Sequence, residues 1–527
     1  MFKKLDSRIQ LFKNSMILTV IFCLVAHGYR FFNTMFSGDS LYMIYQDDSA
    51  WQVAIGRIAQ PVLVFLRGGI GSPFWIFSLV VIFLGLAAFF MLDFLEIKDP
   101  ISVILVTVVL TCNHTITAAS ATYLLNVDFY AFALFMAVFG IWLVKQGKIL
   151  SIVLGTFCLA VSIGTYQAYI CVAIGLVMIH YILRLFKKTT FVSELKSLCC
   201  YLGALAAAAG IYYLVWKMFQ KIFGIWTSNS YNGLASVGDY SETSFFSVVV
   251  EAYRRVFIFF ANPDTFTTLD LSGISLSIVW TYLLRVCNIA VVLVILWTLI
   301  YKNIKCKTPL WQWLLQILIL LMLPLGINFV CVISKGMEHG LMIYAFNLVY
   351  VLAIKLASDT MRSDAGEGVL LPSFTCAQLK RVLPGAAVFV CILTLTWSNV
   401  VYANQVYLKK DLQEKATESL MTRIVYEIET TEGYEAGVTP VAFYGSFELS
   451  PYLTEIKGFE NLLPVGMGKS SLTYVGTDYA FLEYILNVNM NLIRVSGGNE
   501  TIAAMPTYPA KGSVAFVDGV LVVKISE

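Results

Sequence analysis

The chain has 527 residues, 58% of them hydrophobic and only 13% charged, with a formal net charge of +3 and a mean hydropathy of +0.77. Soluble domains carry about 25% charge, so a string of soluble domains is excluded. Disorder is excluded by the 14% aromatic content, and a nucleic-acid-binding face would need clustered Lys and Arg that the near-neutral balance does not supply.

The composition is that of a membrane protein with many spans. About 20 apolar residues cross a hydrocarbon core of about 30 Å. Eleven such stretches are expected, near 14–36, 73–95, 101–120, 123–144, 149–166, 168–186, 198–219, 276–300, 310–333, 341–358 and 382–404. The fifth and sixth are separated only by Thr165–Tyr166–Gln167, read as a tight turn at one membrane face. Lys and Arg alternate from loop to loop. Lys3, Lys4, Arg8 and Lys13 precede the first span, and Lys98, Lys145, Lys148, Arg184, Lys187, Lys188, Lys196, Lys302, Lys305, Lys307, Arg362, Lys380 and Arg381 fall in every second loop. The loops near 121 and 167 have neither residue. By the positive-inside rule the N-terminus is expected inside and the C-terminal tail outside. No cleavable signal peptide is expected, because residues 14–36 are too long for one and no A-x-A site follows. Of the eleven cysteines, nine lie in the expected spans and Cys306 and Cys376 in expected cytoplasmic loops, so the exported parts hold no disulfide.

Three segments are expected outside. Residues 37–72 begin polar and continue, over 53–67, as an interfacial helix kinked at Pro61, with Arg57, Gln60 and Arg67 in one sector of about 80°. Residues 220–275 hold a polar stretch and then an amphipathic run, SVVVEAYRRVFIFFANP. The tail, 405–527, reads as a small α/β domain. It has an amphipathic helix at 408–429, a strand at 440–446, a helix at 479–488, a strand at 491–496 and a hairpin at 513–525 turning on Asp518–Gly519. The division is a transmembrane domain, 1–404, and an extracytoplasmic domain, 405–527. The lone Gly466-x-Gly468 is no nucleotide fingerprint, the cytoplasmic loops are too short for a nucleotide-sugar domain, and no internal repeat of the transporter kind is present.

Four features could carry chemistry. Asp39, Asp47 and Asp48 crowd the first outer loop, where a carboxylate could deprotonate a sugar hydroxyl; a solvated loop is also commonly rich in Asp. Arg57 and Arg67 could hold a phosphate with their planar forks, or snorkel to anionic lipid. Asp128 lies near the outer end of the fourth span, where a buried charge is costly and by default functional. Arg30 and Arg285 lie within spans one and eight. His27, His114, His180 and His339 are scattered, with no metal-ligand spacing and no CxxC pair, so neither metal nor cofactor is expected.

The order of several motifs resembles a known family. They are Asp39–Ser40–Leu41, Gly56–Arg57–Ile58–Ala59–Gln60–Pro61, Asp128–Phe129–Tyr130–Ala131, Gly164–Thr165–Tyr166–Gln167–Ala168–Tyr169, Met505–Pro506 through Ser513, and Asp518 through Lys524. Together they resemble the serotype-converting O-antigen glucosyltransferases, the Gtr type II group, over nearly the whole chain. The resemblance implies a GT-C fold with its active site on the outer face of the bacterial cytoplasmic membrane. It implies a sugar donor on polyprenyl phosphate, typically undecaprenyl phosphate glucose, made by a partner synthase and exported by a small flippase, and a surface glycan as acceptor. Asp39 then becomes the preferred base, ahead of Asp48 and Asp47, with Arg57 and, more weakly, Arg67 on the donor phosphate. Asp128, Tyr166 and Gln167 are candidate substrate-binding residues. A phosphate leaving group needs charge neutralisation more than a general acid, so one carboxylate suffices and transfer would invert the anomeric centre. The competing readings are a transporter or flippase for a lipid-linked sugar or polysaccharide, which would place ionisable residues near the midplane, and a non-catalytic membrane subunit whose tail binds a partner.

Overall fold

The computed structural model describes residues 2–45, 48–69, 71–187, 189–228, 244–261, 276–363, 376–460, 462, 468–473, 476–495 and 499–527. Asp47, most of the polar stretch before Ser244 and the Gly-x-Gly at 466–468, apart from Gly468, lie outside the described residues.

The bundle opens with α1 (Phe2–Phe32). Three short helices follow, α2 (Gly38–Tyr45), α3 (Ser49–Ala54) and α4 (Ala59–Leu66). Then come α5 (Pro73–Phe94), α6 (Pro100–Thr111), α7 (His114–Thr122), α8 (Val127–Lys145), α9 (Ile149–Thr165), α10 (Ile170–Arg184) and α11 (Phe191–Phe223). The rest of the bundle is α12 (Phe245–Ala261), α13 (Leu276–Cys306), α14 (Leu310–Ile327), α15 (Phe329–Ile333), α16 (Leu348–Ser363) and α17 (Cys376–Thr430). Among the described residues nine helical stretches are long and apolar enough to cross a membrane. The fifth expected span is the shorter apolar helix α9, and the tenth, 341–358, is the 16-residue α16 preceded by a 3-10 turn at Tyr344–Asn347.

Two expectations are corrected in the first half of the bundle. The third expected span is present over Pro100–Thr122 but is made of two successive helices, because Asn113 caps α7 by accepting from the Ile116 N–H at 3.1 Å and breaks the run. The helix expected over 53–67 is also two: Gly56, at φ +80°, ends α3, and Pro61 stands in the first turn of α4, where no intrahelical bond is lost. Asp39 does not lie in a loop. α1 stops at Phe32, and Asp39 sits in the first turn of a new helix, α2.

The turn between the fifth and sixth spans is present, with Tyr166 in an extended conformation between α9 and the 3-10 turn Gln167–Tyr169. The two ends of the bundle carry different groups. At one, Arg8 pairs with Asp93, Lys145 with Glu96 at 3.2 Å, Arg184 with Glu194 at 2.8 Å, and Lys302 and Lys355 share Asp359 at 3.2 and 2.8 Å. The other end carries α2–α4, the Tyr166 turn and the tail.

α17 is one continuous 55-residue helix running across 404–405 into the tail. There it packs on a three-stranded sheet of order β1-β3-β2, built from β1 (Val441–Tyr444), β2 (Val514–Val517) and β3 (Val520–Lys524). β2 and β3 form the hairpin turning on Asp518 and Gly519, both at positive φ, and β1 joins β3 in parallel. The described part of the expected strand 491–496, residues 491–495, is not a strand. It meets β1 at a single bridge, Val441 to Leu492, and leaves where Arg494 is held by Asp478 at 2.9 and 3.0 Å. The helix expected over 479–488 is a short one, α18 (Thr477–Ala480), widening into a π turn at Phe481–Ile485. Leu41 of α2 is completely buried in the tail's core with Ile424, Val441, Phe481 and Leu521, so the tail holds α2 in place.

Candidate functional site

The short helices α3 and α4 are built inside out. Their polar residues Gln52, Arg57, Gln60 and Arg67 are all less than 10% exposed, while Phe65 is 82% and Leu66 71% exposed. In water this would be an error; beside hydrocarbon it is the stable arrangement, with apolar side chains toward lipid and polar ones against protein. The sector that groups Arg57, Gln60 and Arg67 is therefore an inward-facing one.

Two groups of residues gather behind it. The first surrounds Arg57, whose guanidinium lies 4.9 Å from the centre of the Tyr166 ring. Gln167 donates to the Ile55 carbonyl at 2.9 Å and to the Tyr212 hydroxyl at 3.3 Å, and Trp216 donates to the Val53 carbonyl at 2.7 Å. Gly56 permits this packing: a Cβ there would stand 2.3 Å from the Tyr212 hydroxyl and 2.8 Å from Gln167 Nε2. His339, on the segment between α15 and α16, is pushed down to about 4 by burial and by the Arg57 charge. Its neighbour Glu338 is pushed up to about 7, chiefly by burial.

Asp39 belongs with this group electrostatically. Burial and the charge of Asp48 push its carboxyl up to about 6, and Arg57 opposes them. Its Oδ2 is buried and accepts no hydrogen bond among the described residues. α2 is fixed around it: Ser37 accepts the Leu41 N–H at its carbonyl at 3.0 Å and donates its hydroxyl to the Thr122 carbonyl. A carboxylate oxygen sealed from water without a donor is costly in a resting protein, and such groups are retained where a ligand completes them.

The second group lines a cavity of about 460 Å³ bounded by α2, α3, α4, the start of α5 and the 3-10 turn Leu124–Asn126. Asp48, Gln52, Gln60, Arg67 and Asn126 supply its polar wall, and Phe36, Met43 and Phe129 part of its apolar one. Asp48 accepts from the Gln52 amide, and Gln60 donates to the Thr165 carbonyl at 2.9 Å. Arg67 donates to Asp128 Oδ1 at 2.8 Å and to the Leu125 carbonyl at 2.9 Å, over the Phe129 ring.

The candidate residues thus converge on one end of the bundle but do not form one cluster. Arg57, Tyr166 and Gln167 lie together, Asp39 lies within the fields of Arg57 and Asp48, and Asp48 lines the cavity, while Arg67 and Asp128 pair with each other. Gln52, Asn126, Tyr212, Trp216 and Glu338 were not singled out from the sequence. Tyr212 and Trp216 sit in an apolar span where aromatic residues are ordinary. Of the histidines, His27 is hydrogen-bonded to the Tyr407 hydroxyl and the Thr111 carbonyl, a role within the bundle. Among the described residues no group of three or more His, Cys, Asp or Glu is placed to hold a metal ion.

An apolar bundle of helices long enough to cross a membrane, with a polar, carboxylate-bearing site at one end, defines a polytopic membrane protein. The model of the GtrII glucosyl transferase family matches residues 28–355, more than half of the chain and the whole of this site. The chain belongs to that family, and it is a glycosyltransferase of the membrane. Comparison with curated proteins and with solved structures gave no match.

Proposed function

We propose that the chain transfers glucose from a polyprenyl-phosphate donor to a cell-surface glycan, on the outer face of the bacterial cytoplasmic membrane and with inversion. The observation that carries this reading is the Asp39 carboxylate, whose Oδ2 is buried and accepts no hydrogen bond among the described residues, held within the fields of Asp48 and Arg57. The acceptor hydroxyl attacks the anomeric carbon and passes its proton to Asp39. The bond from that carbon to the phosphate oxygen breaks, and its electron pair leaves with the polyprenyl phosphate. Arg57 neutralises the charge that grows on the departing phosphate, an interaction stronger in the transition state than before it. Tyr166 sets the guanidinium's place, and Asp48 and Gln52 offer hydrogen-bonding groups to sugar hydroxyls in the adjoining cavity. A phosphate leaving group dispenses with the second carboxylate of a glycosidase.

The orientation follows the charges. The end bearing Arg8, Lys145, Arg184, Lys302 and Lys355 is cytoplasmic by the positive-inside rule, which leaves the site and the tail outside. An outer-face enzyme needs its donor delivered, hence a donor synthase and a small flippase as functional partners. The fold class that accords with this chemistry is GT-C. The direct test incubates the purified protein with polyprenyl-phosphate glucose and candidate surface glycans and analyses the products by mass spectrometry. A glycan heavier by one hexose, with free polyprenyl phosphate released in equal amount, supports the reading. Consumption of nucleotide-linked glucose instead would overturn it.

A further inference from the structure

The end of the bundle remote from Asp39 holds a larger cavity, of about 610 Å³, between the ends of α5, α8, α10 and α16 and the start of α11. Lys145, Arg184, Lys187 and Lys355 line it, against two carboxylates, Glu96 and Asp359. Their immediate ion-pair partners do not cancel the difference: Lys302 shares Asp359 and Glu194 binds Arg184, so the excess of two positive charges stands. Short contacts hold the groups in place. Lys145 donates to the Phe94 carbonyl at 2.6 Å, Lys355 to the Glu96 carbonyl at 3.3 Å, and Arg184 to the Ser197 hydroxyl at 3.2 Å. The positive field reaches Glu96, whose carboxyl is held below its usual range: burial raises it, and Lys145, Lys187 and Lys355 together more than offset that.

We infer that this cavity binds a phosphate group, and that the group it takes is the head of a membrane lipid. The excess of two charges matches a phosphate monoester, and Thr189, Ser197 and Tyr201 add hydroxyls to the same wall. Loops obeying the positive-inside rule need only carry Lys and Arg; they need not turn four cations into one concave space. The lipid source is favoured by the flank. Near Ser197 and Tyr201, α11 exposes Phe191, Val192, Leu195 and Leu202, an apolar surface for the chains of a molecule whose head is in the cavity.

The test uses the purified full-length protein, delipidated in detergent, and native mass spectrometry with phosphatidic acid, phosphatidylglycerol or phosphatidylcholine of matched chains. Inorganic phosphate serves as competitor. Phosphatidic acid should bind most tightly and phosphatidylcholine least. Lys187→Gln, at an exposed position, should weaken phosphatidic acid binding by about fivefold, and Lys187→Gln with Lys355→Gln by about thirtyfold. If the double variant unfolds, the single one decides. Displacement of the lipid by millimolar phosphate supports head-group recognition. Binding of phosphate with no preference among the lipids would overturn the lipid assignment, and lipid binding unchanged in Lys187→Gln would overturn the site.

Discussion

Arg67 and Asp128 form an ion pair of 2.8 Å between the end of α4 and the first turn of α8, with side chains only 5% and 2% exposed. Arg67 is thereby poorly suited to take a substrate phosphate, since its charge is already balanced. Removing one member of a buried pair leaves the other uncompensated, at a cost of about 3–5 kcal/mol. Arg67→Ala should therefore lower the thermal midpoint of the detergent-solubilised protein sharply, and Arg67→Ala with Asp128→Asn should recover part of it. A midpoint unchanged in the single variant would return Arg67 to the list of phosphate ligands.

Leu41 ties Asp39 to the tail, because two residues after the carboxylate the chain enters the tail's core. Leu41→Ala should cost about 2–5 kcal/mol and lower turnover more than donor affinity, since it loosens the helix that aims Asp39. Kinetics at several donor concentrations separate the two effects. A variant impaired only in donor affinity would mean that the tail does not position the base.

Much of this arrangement was legible in the sequence, and the exceptions have physical causes. Apolar length located the helices, and Asp518–Gly519 located the hairpin. The polar sector of Arg57, Gln60 and Arg67 was legible, but its direction was not: a helical sector has no sign until one knows whether water or lipid lies opposite. The break at Gly56 was hidden behind Pro61, which looks like the stronger breaker but stands in a first turn, where it is harmless. The pairing of Arg67 with Asp128, 61 residues apart, is a tertiary fact with no local signal. His339 gave none either, because its relation to Arg57 exists only once the segment before α16 folds over the site.

Gly56 tests the Arg57 group without removing any charge. Its φ of +80° and the 2.3 Å approach of a Cβ to the Tyr212 hydroxyl make Gly56→Ala doubly unfavourable. The variant should lose at least about 1 kcal/mol of stability and show weakened donor use, as Arg57 is displaced from Tyr166. Gly519→Ala, where a Cβ meets nothing within 4 Å although φ is also positive, is the control for backbone strain alone. Equal donor kinetics in the two variants would dissociate Gly56 from the donor site.

Asp39 should govern the acid limb of the pH profile. With its carboxyl pushed up to about 6, the basic form dominates at neutral pH and is lost as pH falls through that value, so kcat/KM should fall about tenfold per pH unit below it. The stability sign is opposite. A carboxyl raised in the folded state favours folding while protonated, so that contribution is full below the ordinary value of 3.8 and is lost as pH rises through about 6. Asp39→Asn, neutral at every pH, should therefore have a higher melting midpoint than the parent at pH 7.5 and a similar one at pH 4. An acid limb that persists in Asp48→Asn but moves in Glu338→Gln would point to Glu338 instead, whose carboxyl is pushed up to about 7.

The central claim is that Asp39 takes the proton of the acceptor hydroxyl, and it is tested most directly by single-turnover glucosyl transfer at saturating polyprenyl-phosphate glucose. Asp39→Asn and Asp48→Asn are compared with the parent after each is shown to be folded and to bind donor. Asp39→Asn should reduce the transfer rate by about a hundredfold or more, the scale of general-base catalysis, with donor affinity retained, whereas Asp48→Asn should chiefly raise the acceptor concentration needed. Near-parental transfer by Asp39→Asn together with collapse in Asp48→Asn would contradict the account and move the base to Asp48.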